Sequence, residues 1–136
     1  MTYITRNLEK IVLQVSDEYP VVLVTGPRQV GKTTMLQKLM EGTERKYVSL
    51  DDLNERNLAK TDPELFLQLH KPPVLIDEVQ YAPELFTYIK IHVDKTHKPG
   101  SFWLTGSQAF KLMRGVQESL AGRIAVLSLT SLSQAE

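Results

Sequence analysis

The stretch from residue 21 to residue 36 reads VVLVTGPRQVGKTTML and contains the pattern G-x-x-x-x-G-K-[ST]. The aliphatic run before the pattern is typical of a strand that is buried on both faces. Gly26 and Gly31 allow the backbone to curl so that several N–H groups point at one spot. A helix that begins near Lys32 directs the positive end of its dipole at the same spot. The stretch therefore predicts a strand, a phosphate-binding loop and a helix, in that order.

The side chains of this loop are suited to a nucleoside triphosphate. Lys32 adds a positive charge against the β- and γ-phosphates, and the Thr33 hydroxyl is a ligand for Mg²⁺. Arg28 would face either phosphate or a partner surface. A glycine turn with an exposed lysine is the alternative, which the strand–loop–helix context disfavours. The predicted nucleotide-binding residues are Gly26, Pro27, Arg28, Gln29, Val30, Gly31, Lys32, Thr33 and Thr34.

Apolar runs and helical patterns alternate along the whole chain. Their spacing predicts an α/β fold, in which a parallel sheet is covered by helices on both faces. Asp62 is expected to cap a helix that begins with Pro63. The predicted strands are VVLVT, KYVSLD, PVLID, SFWLTG and IAVLSL. The predicted helices lie in NLEKIVLQVSDEY, residues 32–41, TDPELFLQLH, APELFTYIKIHVDK and SQAFKLMRGVQESLAG.

Two carboxylates follow the predicted third strand, in the segment VLIDE. They are expected at the carboxyl end of a buried strand, where α/β sheets bind ligands. Asp77 is predicted to hold Mg²⁺, directly or through a water, and Glu78 to orient or deprotonate the attacking water. A solvated strand end is the alternative, since acidic residues commonly end strands. The preceding phosphate loop, with one strand between, favours the functional interpretation.

Two further positions have open interpretations. Ser107, at the end of the fourth strand, could touch the γ-phosphate or the water, with Thr105 behind it. It could equally cap the helix that starts near Gln108. Arg123 could reach a neighbouring subunit's nucleotide and stabilise charge in the transition state. It could also satisfy the carboxyl end of the preceding helix.

Composition narrows the class of protein. The chain has 136 residues, with sixteen basic side chains balancing sixteen acidic ones. No overall field therefore attracts nucleic acid or an anionic membrane. Cysteine is absent, which excludes disulfides and thiolate metal sites and fits a reducing cytosol. No apolar run approaches the roughly 18 residues of a membrane span, and we expect a cytoplasmic protein.

Four segments together resemble the AAA-type ATPase domain of a group of predicted bacterial and archaeal ATPases. They are GPRQVGKTTML, VLIDEVQYAPELF, FWLTGSQ and SLAGR, and the resemblance runs from about Tyr3 to the C-terminus. It implies a three-layer P-loop NTPase fold whose strands lie in the order 5-1-4-3-2. It also implies that Lys32 and Thr33 belong to Walker A and Asp77 and Glu78 to Walker B. In the same family Ser107 would be the sensor on the fourth strand and Arg123 a finger candidate.

The resemblance also implies missing parts. Proteins of this group usually carry a C-terminal domain that resembles restriction-type nucleases, and AAA-type proteins usually carry a helical lid after the fifth strand. The chain stops before either, in TSLSQAE. Residues 1–136 are therefore expected to be one AAA-type ATPase core from a longer protein. Its expected partners are the C-terminal domain in cis and, through the arginine finger, other copies of itself.

The function predicted from these features is Mg²⁺-dependent binding and hydrolysis of ATP. A GTPase is disfavoured because the chain has no N/T-K-x-D segment. A small-molecule kinase would need a lid rich in arginine. It is disfavoured because the only arginines between Asp77 and the last strand are Arg114 and Arg123. A nucleotide-gated switch with little or no turnover stays open. Glu78 favours turnover, whereas the absent lid favours the switch.

Overall fold

A computed structural model describes residues 2–27, 31–107 and 110–128, which form five strands and six helices. The strands are β1 (Val21–Thr25), β2 (Lys46–Ser49), β3 (Val74–Asp77), β4 (Phe102–Gly106) and β5 (Ile124–Ser128). The helices are α1 (Thr2–Ser16), α2 (Lys32–Met40), α3 (Leu53–Thr61), α4 (Pro63–Leu69), α5 (Leu85–Thr96) and α6 (Phe110–Leu120). A short 3₁₀ helix, Val79–Tyr81, follows β3. Strands and helices thus alternate as predicted, with one extra helix.

All the strand pairs are parallel, and the strands lie in the order β2-β3-β4-β1-β5. This is the predicted order 5-1-4-3-2 counted from the opposite edge, so the fold prediction is confirmed. Strand β4 lies between β1 and β3, with Leu23 paired to Leu104 and Leu104 paired to Ile76. The carboxyl ends of these three central strands therefore meet at one edge of the sheet.

Helices cover both faces of the sheet because successive strand residues point to opposite sides. Val21 and Leu23 belong to the core beneath α3 to α6, whereas Val22 and Val24 belong to the core beneath α1 and α2. Every residue of β1 is buried, which agrees with the continuous aliphatic run in the sequence. The central strand is therefore fixed from both faces, and the loop that follows it starts from a rigid support.

Arg45 binds backbone carbonyl groups at the amino ends of β3 and β4. Its guanidinium donates to the carbonyl oxygen of Gly100 at 2.7 Å and to that of Val74 at 3.4 Å. The same group lies 3.9 Å from the centroid of the Trp103 ring, a cation–π contact. The Trp103 indole N–H donates to Ser16 Oγ at 3.0 Å, which fastens α1 to β4. Burial lowers the pKa of Arg45 to about 10, so the group stays cationic at neutral pH.

The structure differs from the sequence prediction in two places. Helix α3 was not predicted, because only Ala59 of its nine residues is buried and its apolar pattern is correspondingly weak. It begins instead from a cap, in which Asp52 accepts hydrogen bonds from the amides of Asn54 and Glu55. The helix predicted in APELFTYIKIHVDK is shorter than that segment, because Leu85 is the first residue of α5. The residues before Leu85 form a turn, in which the Leu85 N–H donates to the Ala82 carbonyl at 3.1 Å.

No helix within residues 2–27, 31–107 and 110–128 combines the length and the apolar character that crossing a bilayer requires.

The cap of α4 provides a test of local stability. The Asp62 carboxylate accepts a hydrogen bond from the Leu65 amide at 3.1 Å, as the sequence predicted. We expect Asp62→Ala to lower the free energy of unfolding by about 1 kcal/mol, because the Leu65 N–H loses its partner. Asp62→Asn keeps an acceptor and should lie close to wild type. Urea denaturation of the three proteins measures the difference, and equal losses in both variants would contradict the capping role.

Candidate functional site

The predicted phosphate loop lies at the carboxyl edge of the sheet. Gly26 follows β1 directly, and its N–H donates to the Gly106 carbonyl at the end of β4, at 3.2 Å. Gly31 is the N-cap of α2 with φ of 80°, a left-handed conformation that a side chain would strain. Residues 28–30, and with them Arg28, Gln29 and Val30, lie outside the described residues. The backbone on either side of them forms the predicted strand–loop–helix junction.

The lysine of the motif is almost completely buried. Lys32 is 1% exposed, at the first position of α2. Its Nζ atom lies 3.8 Å from Oε2 of Glu78, which is itself 3% exposed. A buried charge is costly without a partner, so each of these groups makes the other tolerable. Residues from two separate motifs are thereby brought together at one point.

The Asp77 carboxylate accepts hydrogen bonds from hydroxyl groups on two strands, β2 and β4, and on helix α2. Thr33 Oγ1 donates to Asp77 Oδ1 at 2.7 Å, and Thr105 Oγ1 donates to the same oxygen. Tyr47 Oη and Ser49 Oγ donate to Oδ2 at 3.1 and 3.3 Å. Hydrogen bonds to an ionised acceptor are the stronger kind, so Asp77 is held firmly in one orientation.

The Tyr47 hydroxyl keeps its proton in this arrangement. Burial raises the pKa of Tyr47 above its usual value, and the nearby Asp77 carboxylate is the next largest cause of the increase. Both causes disfavour a phenolate, and Tyr47 is therefore a permanent donor to Asp77 over the ordinary range of pH.

The carboxylates at this edge form a group of hard oxygen ligands. One oxygen each from Asp51, Asp77 and Glu78 lies within 4.8 Å of the others. Asp51 is exposed, just beyond the end of β2, whereas Asp77 and Glu78 are buried. Carboxylate and hydroxyl oxygens are the ligands that Mg²⁺ prefers, and the Thr33 hydroxyl lies beside them. The donor set is thus chemically suited to the predicted metal.

The backbone turns sharply at Glu78. This residue adopts φ of 63° and ψ of 51°, a left-handed conformation that costs a non-glycine residue about 1–3 kcal/mol. Its N–H leaves the sheet and donates instead to Thr105 Oγ1 at 2.9 Å. Strain of this kind persists only where the surroundings impose it. Here the hydrogen bond to Thr105 and the ion pair with Lys32 both do so.

Ser107 joins the site through its backbone. The residue is half-buried at the end of β4, and its N–H donates to Gln80 Oε1 at 3.3 Å. Thr105, which the sequence placed behind it, is completely buried and contacts both Asp77 and Glu78. Gln108, the alternative partner of a Ser107 cap, lies outside the described residues.

Arg123 lies at the opposite end of the sheet. Its carbonyl accepts a hydrogen bond from the N–H of Val21, the first residue of β1. Its guanidinium makes a two-pronged contact with Asp94 on α5, at 2.7 and 3.0 Å, and donates to the Ala121 carbonyl at 2.8 Å. The last contact satisfies a carbonyl just beyond α6, as one interpretation expected. The whole length of β1 separates Arg123 from the loop at Gly26, so it cannot reach the phosphates of its own subunit.

A family model described as an AAA domain matches residues 18–136 of the chain. This protein belongs to the AAA family. Its fold is that of a P-loop NTPase, a nucleotide-binding fold, and the predicted family resemblance is confirmed.

Two curated relatives of this AAA domain are 36% identical to it over 115 residues. They are Uncharacterized protein Mb2031c of Mycobacterium bovis and Uncharacterized protein Rv2008c of Mycobacterium tuberculosis. The match covers 84% of this chain and 26% of each relative. The chain therefore spans about a quarter of the length of the curated relatives it matches.

Solved structures share the fold at low identity. The P-loop NTPase domain of the sigma-54 transport activator from E. coli has a TM-score of 0.59 at 13% identity, covering 95% of this chain and 97% of that one. The DnaC helicase loader has a TM-score of 0.56 at 18% identity, covering 91% and 88%. The ORC2 protein of Aeropyrum pernix, in its ADP form, has a TM-score of 0.52 at 14% identity, covering 94% and 46%. At these identities the likeness concerns the fold alone.

Several residues of the AAA domain's site were not predicted from the sequence. Tyr47, Ser49 and Asp51 all lie near Asp77 or Glu78, and Gln80 contacts Glu78 at 2.8 Å. The first three occupy alternate positions of KYVSLD, so their polar side chains share one side of β2. That alternation was visible in the sequence. The contact of these residues with Asp77 depends on the register between β2 and β3, and the sequence does not show that register.

A cavity of about 550 Å³ lies away from this site, at the amino ends of the strands. Its lining includes Arg45, Pro73, Tyr88, Lys95 and Gly100. None of the described residues of the phosphate loop lines this cavity, so the cavity and the candidate site are separate surfaces.

The contact between Asp94 and Arg123 gives a pH-dependent prediction. The hydrogen bond from Arg123 holds the pKa of Asp94 below the usual value of an aspartate. Because the folded pKa is depressed, the stabilisation is present above about pH 4 and is lost as the pH falls through the folded pKa. We expect the melting temperature of wild type to exceed that of Asp94→Asn at pH 7, and the difference to shrink below pH 4. An Asp94→Asn effect of the same size in an Arg123→Gln background would contradict the pairing.

Proposed function

We propose that this AAA domain binds ATP together with Mg²⁺ and hydrolyses its terminal phosphoanhydride bond. One observation supports this most directly. Side chains of the phosphate-loop motif contact those of the VLIDE segment, Lys32 with Glu78 at 3.8 Å and Thr33 with Asp77 at 2.7 Å. A structural glycine turn has no need of either contact.

Phosphate binding would use the backbone and the lysine together. The amides of the first turn of α2 have no partner within the helix, and the dipole makes that end favourable for anions. Lys32 begins this helix and carries an ammonium group at the end of a four-carbon side chain. The phosphates of ATP and the Glu78 carboxylate are both acceptors for Lys32, and ATP would draw it toward the phosphates.

Mg²⁺ would be held by Thr33 and Asp77. Their oxygens already lie 2.7 Å apart, and Tyr47 and Ser49 fix the outer oxygen of the carboxylate. The bound ion would neutralise charge on the β- and γ-phosphates. Ligands with fixed orientation suit an ion that demands near-octahedral geometry.

Hydrolysis would depend on Glu78. Its carboxylate would orient the attacking water and accept a proton from it as the new phosphorus–oxygen bond forms. The bond between the γ-phosphorus and the bridging oxygen would break, and ADP would leave. Lys32 would stabilise the charge on the phosphate oxygens, since its Nζ lies 3.8 Å from the Glu78 carboxylate. Ser107, at the end of the neighbouring strand, would contact the γ-phosphate or the water.

Assembly would supply a further charge. Arg123 cannot reach its own subunit's nucleotide, so a role as an arginine finger requires a neighbouring copy of the chain. We propose a homo-oligomer in which Arg123 leaves Asp94 for the adjacent site. The curated relatives are about four times as long as the matched segment, and we propose that a lid and a C-terminal domain act with this core in cis.

The binding proposal is tested with Lys32→Ala in a Glu78→Gln background. In this background the lysine is removed without leaving a buried carboxylate unpaired. We expect Glu78→Gln to bind ATP within about threefold of wild type, and Lys32→Ala/Glu78→Gln to lose measurable binding. Titration of a fluorescent ATP analogue gives the dissociation constants. Undiminished ATP binding by the double variant would show that the phosphates lie elsewhere.

Turnover is tested by phosphate release from wild type and Glu78→Gln. We expect the variant to lose about 10²–10⁴-fold in kcat, the usual contribution of a general base. Glu84→Gln, at an exposed carboxylate near α5, serves as the matched control and should be unaffected. Binding of ATP without phosphate release from wild-type full-length protein would instead support a nucleotide-gated switch.

A further inference from the structure

We propose that Gln80 is a positioning residue that fixes the Glu78 carboxylate and links it to the end of β4. The side-chain amide of Gln80 lies between two groups of the candidate site. Its Nε2 atom donates to Glu78 Oε1 at 2.8 Å, and its Oε1 atom accepts from the Ser107 N–H at 3.3 Å. The inference rests on the proposed function of Glu78 as the residue that orients or deprotonates water.

The two contacts determine which way round the amide lies. A carboxylate can only accept, so the NH₂ group must face Glu78. A backbone N–H can only donate, so the carbonyl oxygen must face Ser107. Glutamine is the side chain of this length that offers both a donor and an acceptor. Glutamate would keep the contact with Ser107 and place a second carboxylate against Glu78.

The backbone between the two residues is shaped for this contact. Positions two apart on a regular helix do not face each other. The left-handed conformation of Glu78 and the 3₁₀ helix Val79–Tyr81 that follows it turn the chain back on itself. The turn brings the amide of Gln80 against the carboxylate of Glu78, so the strained backbone at Glu78 acquires a structural purpose.

The end of β4 leaves room for the Gln80 side chain. A Cβ atom on Gly106 would lie 3.2 Å from Gln80 Oε1 and 2.7 Å from Leu112 Cδ2. The first contact would press on the Gln80 amide where it bonds to Ser107, and the second would force the Leu112 side chain to move. The absence of a side chain at Gly106 thus permits the link between Gln80 and the strand end.

The same strand end also contacts the phosphate loop. The Gly106 carbonyl accepts from the Gly26 N–H at 3.2 Å, one residue before the Ser107 N–H donates to Gln80. A movement of the loop would therefore reach the Glu78 carboxylate through the end of β4 and the Gln80 amide. Gln80 would act on the orientation of Glu78 and hence on turnover, and it has no described contact with Lys32 or Thr33.

Turnover and binding are measured on full-length protein carrying Gln80→Ala or Gln80→Glu. Loss of an outer partner of a catalytic group typically costs 10–100-fold. We expect kcat to fall by about that factor in both variants, while the dissociation constant for a fluorescent ATP analogue stays within about threefold. A wild-type kcat in Gln80→Ala, or a parallel loss of ATP binding, would overturn the positioning role.

A thermal double-mutant cycle tests the contact without using activity. Gln80→Glu should lower the melting temperature, because two carboxylates then face each other. Glu78→Gln alone also removes the partner of Lys32, so it is the reference for the double variant. In Gln80→Glu/Glu78→Gln the donor and acceptor are exchanged, and Gln80→Glu should lower the melting temperature less there than in wild type, while hydrolysis stays lost. Equal losses with and without Glu78→Gln would overturn the contact. The cycle reports on Gln80 even if wild-type protein releases no phosphate, which would count against the proposed hydrolysis alone.

Discussion

The site depends on one requirement, that two charges removed from water must neutralise each other. Lys32 and Glu78 are both almost fully buried, and they come from segments on either side of a whole strand–helix–helix unit. An unpaired charge at either position would cost several kcal/mol. The sheet order meets this requirement by placing β4 between β1 and β3, so that their carboxyl ends converge. Thr105, Gly106 and Ser107 then occupy the space between the two motifs.

Asp77 is a third buried charged group, and hydroxyl groups that donate to it compensate for its removal from water. They come from three parts of the chain, α2, β2 and β4, and each restricts the rotation of one carboxylate. A ligand that is already oriented loses little entropy when it binds. The oxygens proposed to hold Mg²⁺ are thus held in place by hydrogen bonds from residues of the rigid sheet. The fold is that of the AAA family, and these hydroxyl contacts orient Asp77 at the edge of this sheet.

The sequence was sufficient wherever a motif coincided with a strong hydrophobic pattern. The strand before Gly26 and the strand before Asp77 are continuous aliphatic runs, so both the elements and the positions of the polar residues after them could be predicted. Helix α3 was missed because it buries a single alanine. Contacts between distant residues were also beyond reach, since Asp94 meets Arg123 through the packing of α5 beside α6 rather than through any local pattern. The partners of Asp77 on β2 follow from strand register, which a hydrophobic pattern does not specify.

The packing of Trp103 has a practical consequence. It is the only tryptophan of the chain, and it lies on β4, the strand whose carboxyl end touches both the phosphate loop and Gln80. Its indole N–H is bonded to Ser16, and its ring faces the guanidinium of Arg45. Charge near an indole ring changes the energy of its excited state. In residues 1–136, emission excited at wavelengths that tyrosine does not absorb therefore comes from one indole in the central part of the sheet, without any added dye.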